Sequence, residues 1–462
     1  MAELTTAVEE VVGRGNVLTG DAVPEDYGHD EALTGTPVRP RWVVRPGSTE
    51  EVAAVVRLAA EHGVPLTARG SGTGLSGACI PRPDGMVVSF ERMARILEID
   101  LGNHVAVVEP GVTLDQLDKA AFEHGLVYPV FPGESSASLG GNVATNAGGM
   151  RAVKYGVTRH QVLGLTAVLG TGEVIRTGGK FVKATTGYDL TQLIAGSEGT
   201  LALVTEATLR LYPRPAHSAA VLAPYATLAE VTSAVPRIVG SGIGPLIVEY
   251  IDVVSMAGLV RNAGLDLGVP KDVQDATRAY LVVVLEDRSA DRLDEDVEEL
   301  AGALAELGAL DVYVLPPQAG VALIEAREKA FWTAKAAGAD DILDMVVPRA
   351  QIADYMAKVE ALAQASDSFV AGCGHAGDGN VHLSVFQPDP ERRRRLVLDI
   401  FRAGQALGGA VSGEHGIGTT KKHYYLELED PVKVDLLRRI KATFDPAGIL
   451  NPGAIFDAEA AR

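Results

Sequence analysis

Two short segments in the C-terminal half of the chain carry residue types that bind metal ions. In the first, a glycine turn separates His375 from His382, and the second contains Glu414 and His415. Two neutral imidazoles and one carboxylate are a common catalytic set for a divalent metal, with positions left for substrate and water. Spacing alone favours hydrogen-bonded loop histidines instead, because ligand pairs in known zinc motifs usually lie closer in sequence.

Two glycine-rich segments, residues 69–77 and 140–149, are suited to a close approach between backbone amides and a ligand. Residues 72–77 fit the dinucleotide spacing G-x-G-x-x-G, which requires a strand before it and a helix after it. A strand is predicted before it, but Pro81 and Pro83 follow and disfavour a helix. The second segment also lacks an amphipathic helix directly behind it. We therefore expect no Rossmann turn but two helix-free segments that hold a nucleotide mainly through loop amides.

Capping signals and hydrophobic alternation predict the elements that position these segments. Ser48 and Glu51 open a helix that Gly63 closes, and a strand is expected on either side. Over residues 163–177, hydrophobicity alternates along the chain on both sides of a Gly-Thr-Gly turn, and this pattern predicts a hairpin. The first domain is therefore expected to be α+β, with strand pairs and no single wound parallel sheet.

After Pro213 and Pro215 the predicted order up to about residue 316 is β-α-β-β-α-β, the ferredoxin-like pattern. Further elements are expected to extend it: a helix over 321–336, a strand near Met345, a helix from 350, paired strands over 369–386 and a late helix over 431–444. No internal repeat is evident.

Composition limits the function classes. A chain of 462 residues predicts two domains, and a net charge of −19 argues against binding nucleic acid or anionic lipid. No apolar run approaches the roughly 20 residues of a membrane-spanning helix. Two cysteines are too few for a disulfide framework. We expect a cytoplasmic protein, with peripheral association at the inner face of the membrane left open.

Taken together, the motifs resemble two known domains. Residues 69–77, 132–149 and 196–201 are similar to the FAD-binding domain shared by vanillyl-alcohol oxidase and p-cresol methylhydroxylase, and residues 375–382, 413–418 and 451–453 to the FAD-linked oxidase C-terminal domain. The nearest resemblance is to the FAD-binding subunit of glycolate oxidase, to D-lactate dehydrogenases and to D-2-hydroxyglutarate dehydrogenase.

The resemblance implies an α+β fold in three parts. A two-part FAD-binding domain of the p-cresol methylhydroxylase type is expected over residues 1–213, and a ferredoxin-like α+β substrate (cap) domain over 214–411. Residues 412–462 are expected to form the active-site loop and a helical C-terminal segment that returns to the FAD-binding domain.

The resemblance also implies FAD, bound non-covalently because neither glycine-rich segment contains a histidine. The expected FAD contacts are Arg69, Gly70, Ser71, Gly72, Thr73, Gly74, Leu75, Ser76, Pro132, Gly133, Leu139, Gly140, Asn142, Asn146, Gly148, Gly149, Gly196, Glu198, Gly199, Leu201, Val204 and Asn451.

The same resemblance assigns a divalent metal to His375, His382 and Glu414, with zinc expected and manganese or iron as alternatives. His415 is the expected base, and Arg327 the expected contact for the substrate carboxylate, unless this arginine extends from its helix to solvent. Lys421 is expected to add positive charge, and the alternative is a solvated lysine.

The implied reaction is FAD-dependent oxidation of a small 2-hydroxy acid. D-2-Hydroxyglutarate dehydrogenases have a lysine where this chain has residues 341–344, so a monocarboxylate such as lactate or glycolate is expected. The electron acceptor is a quinone, a partner subunit or a soluble carrier, and a homodimer is left open. Two alternatives are a non-catalytic FAD subunit of an oxidase and an enzyme similar to alkyl-dihydroxyacetone-phosphate synthase.

Overall fold

A four-stranded sheet with one flanking helix pair begins the chain in the computed structural model, which describes residues 2–457. Its elements are α1 (Ala2–Val12), β1 (Val17–Thr19), β2 (Trp42–Val44), α2 (Thr49–His62), β3 (Leu66–Arg69) and β4 (Met86–Ser89). The Ser48 hydroxyl accepts a hydrogen bond from the Glu51 amide, and Gly63 ends α2 with a φ of 62°. The predicted strand-helix-strand unit is confirmed, with β4 lying between β2 and β3 and parallel to both.

A five-stranded antiparallel sheet, in the order β5-β6-β10-β8-β9, completes the first domain. This part contains β5 (Ile96–Asp100), β6 (Val105–Val108), α3 (Leu114–Phe122), β7 (Leu126–Val127), α4 (Leu139–Thr145), α5 (Ala152–Tyr155), α6 (Thr158–Gln161), β8 (Val162–Leu169), β9 (Val174–Gly178), α7 (Leu190–Ile194), β10 (Ala202–Arg210) and β11 (Tyr212–Pro213). The predicted hairpin is the pair β8 and β9.

The expectation that both glycine-rich segments lack a helix is wrong for the second one. It starts with α4, whose first turn is capped by the Ser138 hydroxyl accepting from the Gly141 amide. Asn146 ends the helix with a φ of 53°. A polar cap offsets the low helix propensity of glycine here. The first segment forms no helix, as expected.

The second domain is built on one eight-stranded sheet in the order β15-β12-β14-β13-β17-β18-β16-β19. Its elements are β12 (His217–Tyr225), α8 (Leu228–Gly240), β13 (Ile247–Asp252), α9 (Val253–Ala263), α10 (Lys271–Ala276), β14 (Ala279–Asp287), α11 (Ala290–Glu306), β15 (Tyr313–Val314), α12 (Pro317–Glu328), α13 (Ala330–Ala336), β16 (Asp341–Val346), α14 (Ile352–Ala365), β17 (Phe369–Gly374), β18 (Asn380–Phe386), α15 (Pro390–Gln405), β19 (Ala410–Val411), α16 (Lys422–Leu428) and α17 (Pro431–Phe444).

This sheet consists of two ferredoxin-like units placed edge to edge. The predicted unit is β12-α8-β13-β14-α11-β15, and β16-α14-β17-β18-α15-β19 repeats the same order of strands and helices. The units join where β13 pairs antiparallel with β17, with Tyr250 opposite Gly374. The sequence analysis predicted β16, β17 and β18 of the second unit but neither β19 nor the repeat. The helix predicted over 321–336 is divided into α12 and α13 at Lys329.

Helices cover the two faces of the sheet unequally. One face packs against α8, α11, α14 and α15 in the largest hydrophobic core, and α9 and α12 cover part of the other. The chain then returns to the first domain, where the Leu66 amide donates to the carbonyl of Ile449 and the Asn451 amide donates to that of Leu66. Within residues 2–457, none of the helices is both long and apolar enough to cross a bilayer.

Candidate active site

The predicted metal ligands converge at one point beside the junction of the two ferredoxin-like units. His375 directly follows β17, His382 lies in β18, and Glu414 follows β19. Oε1 of Glu414 lies 3.1 Å from Nε2 of His375 and 3.3 Å from Nε2 of His382. Antiparallel pairing positions the two histidine segments, because Cys373 lies opposite His382 across β17 and β18. Two imidazole nitrogens and a carboxylate oxygen therefore present the donor set that a divalent metal requires.

His415, the expected base, lies in the same cluster. Its ring stacks on that of His382 with the centroids 5.0 Å apart, and its Nε2 lies 3.9 Å from Oε1 of Glu414. The expected ligands and the expected base are therefore adjacent.

Asp344 holds the loop that carries Glu414 and His415. Its Oδ2 accepts hydrogen bonds from the backbone amides of both residues and from the Ser412 hydroxyl, each at 2.8 Å. Burial disfavours the charged carboxylate, but the nearby histidines His415 and His382 outweigh it and lower the pKa of Asp344 to about 2. Sequence reasoning missed this role, although an acid between the apolar residues Leu343 and Met345 was a signal.

Glu249, in β13, is a second buried acid that sequence reasoning missed. Its side chain is fully buried, with Oε1 2.5 Å from Nδ1 of His375 and Oε2 2.8 Å from Nη2 of Arg327. Burial alone would raise the pKa of Glu249, but the charges of Arg327 and His375 lower it. The carboxylate therefore stays ionised between a predicted metal ligand and the predicted substrate anchor.

Arg327, near the C-terminal end of α12, faces the cluster from the helical side. Its side chain is 7% exposed, so the alternative in which it extends to solvent is wrong. Its Nη2 is ion-paired with Glu249, whereas its buried Nε has no hydrogen-bond partner among residues 2–457. Because an unpaired buried donor is costly, the Nε–H group is suited to binding an anion that enters the site.

A cavity of about 340 Å³ connects this cluster with the first domain. Arg327, His375, His382, Glu414 and His415 form its polar end. Four of the expected FAD contacts also line this cavity: Leu75, Pro132, Gly133 and Gly149. A substrate in this cavity would therefore touch both domains.

A smaller cavity of about 80 Å³ lies between the two glycine-rich segments. The expected FAD contacts that line it are Gly70, Gly140, Glu198, Gly199 and Val204. A Cβ atom at Gly70 would lie 1.8 Å from Oγ of Ser138, and one at Gly140 would lie 2.4 Å from Cβ of Pro110. Only glycine permits this packing. Beside it, the buried Nδ2 of Asn142 has no hydrogen-bond partner among the described residues, so a polar cofactor group fits here.

The remaining expected FAD contacts line neither of these two cavities. They are Arg69, Ser71, Gly72, Thr73, Gly74, Ser76, Leu139, Asn142, Asn146, Gly148, Gly196, Leu201 and Asn451. Several connect the first domain to the active-site loop: the Ser76 hydroxyl donates to the His415 carbonyl, and a Cβ at Gly148 would lie 2.6 Å from Oε2 of Glu414.

Lys421 is not part of this cluster. Its Nζ donates to Oδ1 of Asp341 at 2.5 Å, both side chains are buried, and neither residue lines the 340 Å³ cavity. The expectation that Lys421 adds charge beside the substrate is therefore wrong, because Asp341 already neutralises the lysine, and so is the solvated alternative.

Comparison with known proteins identifies the family. Residues 214–455 match the family described as "FAD linked oxidases, C-terminal domain", and residues 40–178 match the one described as "FAD binding domain". The chain belongs to the FAD-linked oxidase family. It is an FAD-linked oxidoreductase, as the sequence predicts.

Relatives of this FAD-linked oxidase extend over nearly its whole length. It is 58% identical to an uncharacterized FAD-linked oxidoreductase of Mycobacterium tuberculosis (99% of each chain) and 37% identical to a D-lactate dehydrogenase of Anaerostipes hadrus (95% of this chain, 94% of the relative). It is also 37% identical to the glycolate oxidase subunit GlcD of Bacillus subtilis (92% and 90%). It is also 32% identical to a D-2-hydroxyglutarate dehydrogenase of Stutzerimonas stutzeri (99% and 98%), so it belongs to the D-lactate, glycolate and 2-hydroxyglutarate oxidoreductase group.

Among solved structures, substrate-bound p-cresol methylhydroxylase superposes on this FAD-linked oxidase with a TM-score of 0.82. The match covers 99% of this chain and 97% of that one at 18% identity. The predicted fold, an FAD-binding domain of the p-cresol methylhydroxylase type joined to a second α+β domain, is confirmed.

Proposed function

We propose that this protein oxidises a 2-hydroxy monocarboxylate of the D-lactate or glycolate type to the corresponding 2-oxo acid, with FAD and a divalent metal. One observation carries the proposal: the donor atoms of His375, His382 and Glu414 converge beside His415 and the unpaired Nε–H group of Arg327. The relatives named D-lactate dehydrogenase and glycolate oxidase subunit support the substrate class.

The residues around the two glycine-rich segments would hold FAD, and His375, His382 and Glu414 would hold the metal. When bound, FAD supplies two-electron redox chemistry, and a divalent ion supplies Lewis-acid polarisation of the substrate hydroxyl.

The side chains of the chain itself bind the substrate and move its proton. The buried guanidinium of Arg327 binds the carboxylate through charge-assisted hydrogen bonds. An imidazole nitrogen of His415 accepts the hydroxyl proton as general base. Asp344 keeps that imidazole in place through its hydrogen bond from the His415 amide, and Glu249 orients the His375 ring.

The substrate is expected to carry one carboxylate. Asp341, at the position where the sequence analysis sought a second cationic anchor, is occupied by its ion pair with Lys421. Ile342, next to it, lines the cavity with an apolar side chain. Both observations favour a monocarboxylate.

The experiment that tests the proposal is anaerobic reduction of the flavin by a panel of D- and L-2-hydroxy acids, with and without a chelator. We expect bleaching of the flavin absorbance with D-acids and a loss of bleaching after the metal is removed. A panel in which no acid bleaches the flavin contradicts the proposed reaction.

Two histidine variants distinguish loss of the metal from a general effect of substitution on the fold. His382→Ala is expected to lose bound metal, measured by elemental analysis, and to lose reduction of the flavin by the substrate while FAD stays bound. His423→Ala is the matched control, because His423 is an exposed histidine of a different cavity. Equal metal content and turnover in both variants would remove the metal from the scheme.

A further inference from the structure

The cavity has an apolar wall whose extent exceeds what the methyl group of lactate can cover. Beyond the polar end, the lining residues are mostly hydrophobic. They include Phe331, Ala334 and Ala337 from the helical side and Ile342, Phe369, Ala371 and Phe386 from the sheet.

Strand register arranges the sheet side of this wall in rows. Cys373 of β17 and Asp344 of β16 lie opposite His382 of β18. Two residues further along, Ala371 and Ile342 lie opposite Ser384, and this is the first row. Residues two apart in a strand share a face and lie about 7 Å apart, so the first row begins about 7 Å from His382.

Phe369 and Phe386 form the second row, two residues further again. They lie opposite each other, with ring centroids 5.5 Å apart. The side chain of Phe369 is half exposed at this end of the cavity. A large apolar group exposed next to a binding site is more stable when a ligand covers it.

Charge along the wall points to the same class of ligand. Outside the polar cluster, Arg261 and Glu328 are the charged residues among the described residues that line the cavity, and neither belongs to the two rows. A substrate group that lies along the rows therefore meets mainly hydrocarbon.

We propose that the preferred substrates are D-2-hydroxy acids with an apolar side chain longer than the methyl of lactate, which lies against the first row and extends towards the second. This rests on the proposed function and specifies its substrate. The carboxylate and hydroxyl stay at Arg327 and the histidines, and the reaction is unchanged.

The test compares kcat/KM of the FAD-loaded enzyme for glycolate, D-lactate, D-2-hydroxybutyrate, D-2-hydroxyisocaproate and D-2-hydroxyglutarate. A methylene in an apolar pocket changes kcat/KM by about tenfold or more, so D-2-hydroxyisocaproate is expected to exceed D-lactate by at least about tenfold. A value for D-lactate or glycolate equal to or above that for D-2-hydroxyisocaproate overturns the inference but leaves the proposed function intact. The highest value for D-2-hydroxyglutarate also overturns it. Flavin reduction by none of these acids is the failure of the proposed function itself.

Two variants test the first row. Ala371→Leu fills it and is expected to lower kcat/KM for D-2-hydroxyisocaproate about tenfold relative to glycolate. Ile342→Ser makes it polar and is expected to lower the ratio of D-2-hydroxyisocaproate to D-lactate by a similar factor. Each ratio is measured within one variant, so partial loss of folded protein cancels, and Ile342→Ser carries the test if Ala371→Leu fails to fold. Val314→Ser, on an exposed edge strand of the same sheet, is the control and should leave both ratios unchanged. Unchanged ratios in both row variants overturn the inference.

Discussion

Glu249 accepts a hydrogen bond from His375 across the junction of the two ferredoxin-like units, with 2.5 Å between Oε1 and Nδ1. Its other carboxylate oxygen lies 2.8 Å from Nη2 of Arg327. One fully buried acid therefore connects the expected metal ligand with the expected substrate anchor. A carboxylate behind a ligating histidine fixes the ring orientation and raises the basicity of the ligand.

We expect Glu249→Gln to lower metal affinity about 10- to 100-fold, the usual cost of losing such a partner. KM should rise as well, because Arg327 loses the charge that holds it. Metal affinity is measured by competition with a chelator, and KM by steady-state kinetics. The control is Glu325→Gln, an exposed acid on the same helix as Arg327. Wild-type metal affinity with a lower melting temperature would mean that Glu249 acts only in folding.

Lys421 should matter for stability and not for chemistry. Replacing it with Met leaves Asp341 buried without its partner, and breaking a buried ion pair in this way costs about 3–5 kcal/mol. We expect Lys421→Met to lower the free energy of unfolding by that amount while kcat/KM of the folded enzyme stays close to wild type.

The matched change is Lys119→Met, which breaks an exposed pair with Asp115. Exposed pairs contribute about 0–1 kcal/mol, so this variant should unfold nearly as wild type does. A Lys421→Met enzyme with unchanged stability and reduced kcat/KM would restore a role for Lys421 in the reaction.

The close packing at Gly140 predicts an effect on FAD binding. In Gly140→Ala the new Cβ would lie 2.4 Å from Cβ of Pro110, at the wall of the smaller cavity. Overpacking of this kind costs about 1–3 kcal/mol, and α4 must shift towards the cofactor space to relieve it. We expect about tenfold weaker FAD binding, measured by titrating the apoprotein with FAD. Gly240→Ala is the control, because nothing lies within 4 Å of the added atom. Equal FAD affinity in the two variants would contradict this placement of the cofactor.

Sequence patterns predicted those features that depend on residues close together in the chain, such as the ends of helices. Ser48 caps the start of α2 and Gly63 ends it, both through contacts within one helical turn. The roles of Glu249 and Lys421 depend on partners 126 and 80 residues away, so no pattern within a few turns of chain reveals them.

The other misses also follow from tertiary structure. Helix α4 forms in a glycine-rich stretch because Ser138 caps it and Gly140 packs closely against Pro110. The second ferredoxin-like unit repeats the topology of the first, and its sequence shows no evident repeat because a sheet constrains the pattern of apolar residues more than their identity. The metal-ligand prediction for His375, His382 and Glu414 came from the resemblance of their motifs to the FAD-linked oxidase C-terminal domain, because spacing alone favoured hydrogen-bonded loop histidines.

Glu198 predicts how stability depends on pH. Its carboxylate accepts hydrogen bonds from the amides of Ile417 and Gly418, but burial outweighs them and raises its pKa to about 7. The unfolded chain ionises this group at a lower pH than the folded chain does, so the folded state binds the proton more tightly. Protonated Glu198 therefore contributes to the free energy of unfolding in full below the unfolded pKa of about 4.5, and this contribution is lost as pH rises towards 7.

The expected loss from pH 4.5 to pH 7 is about 3 kcal/mol of unfolding free energy, and Glu198→Gln, which does not titrate, should lack it. Denaturant unfolding of both proteins at pH 5 and pH 7.5 measures the difference. Glu306→Gln, at an exposed acid of α11, is the control and should follow the wild-type pH dependence. Parallel pH profiles for wild type and Glu198→Gln would show that the folded protein holds Glu198 with an ordinary pKa.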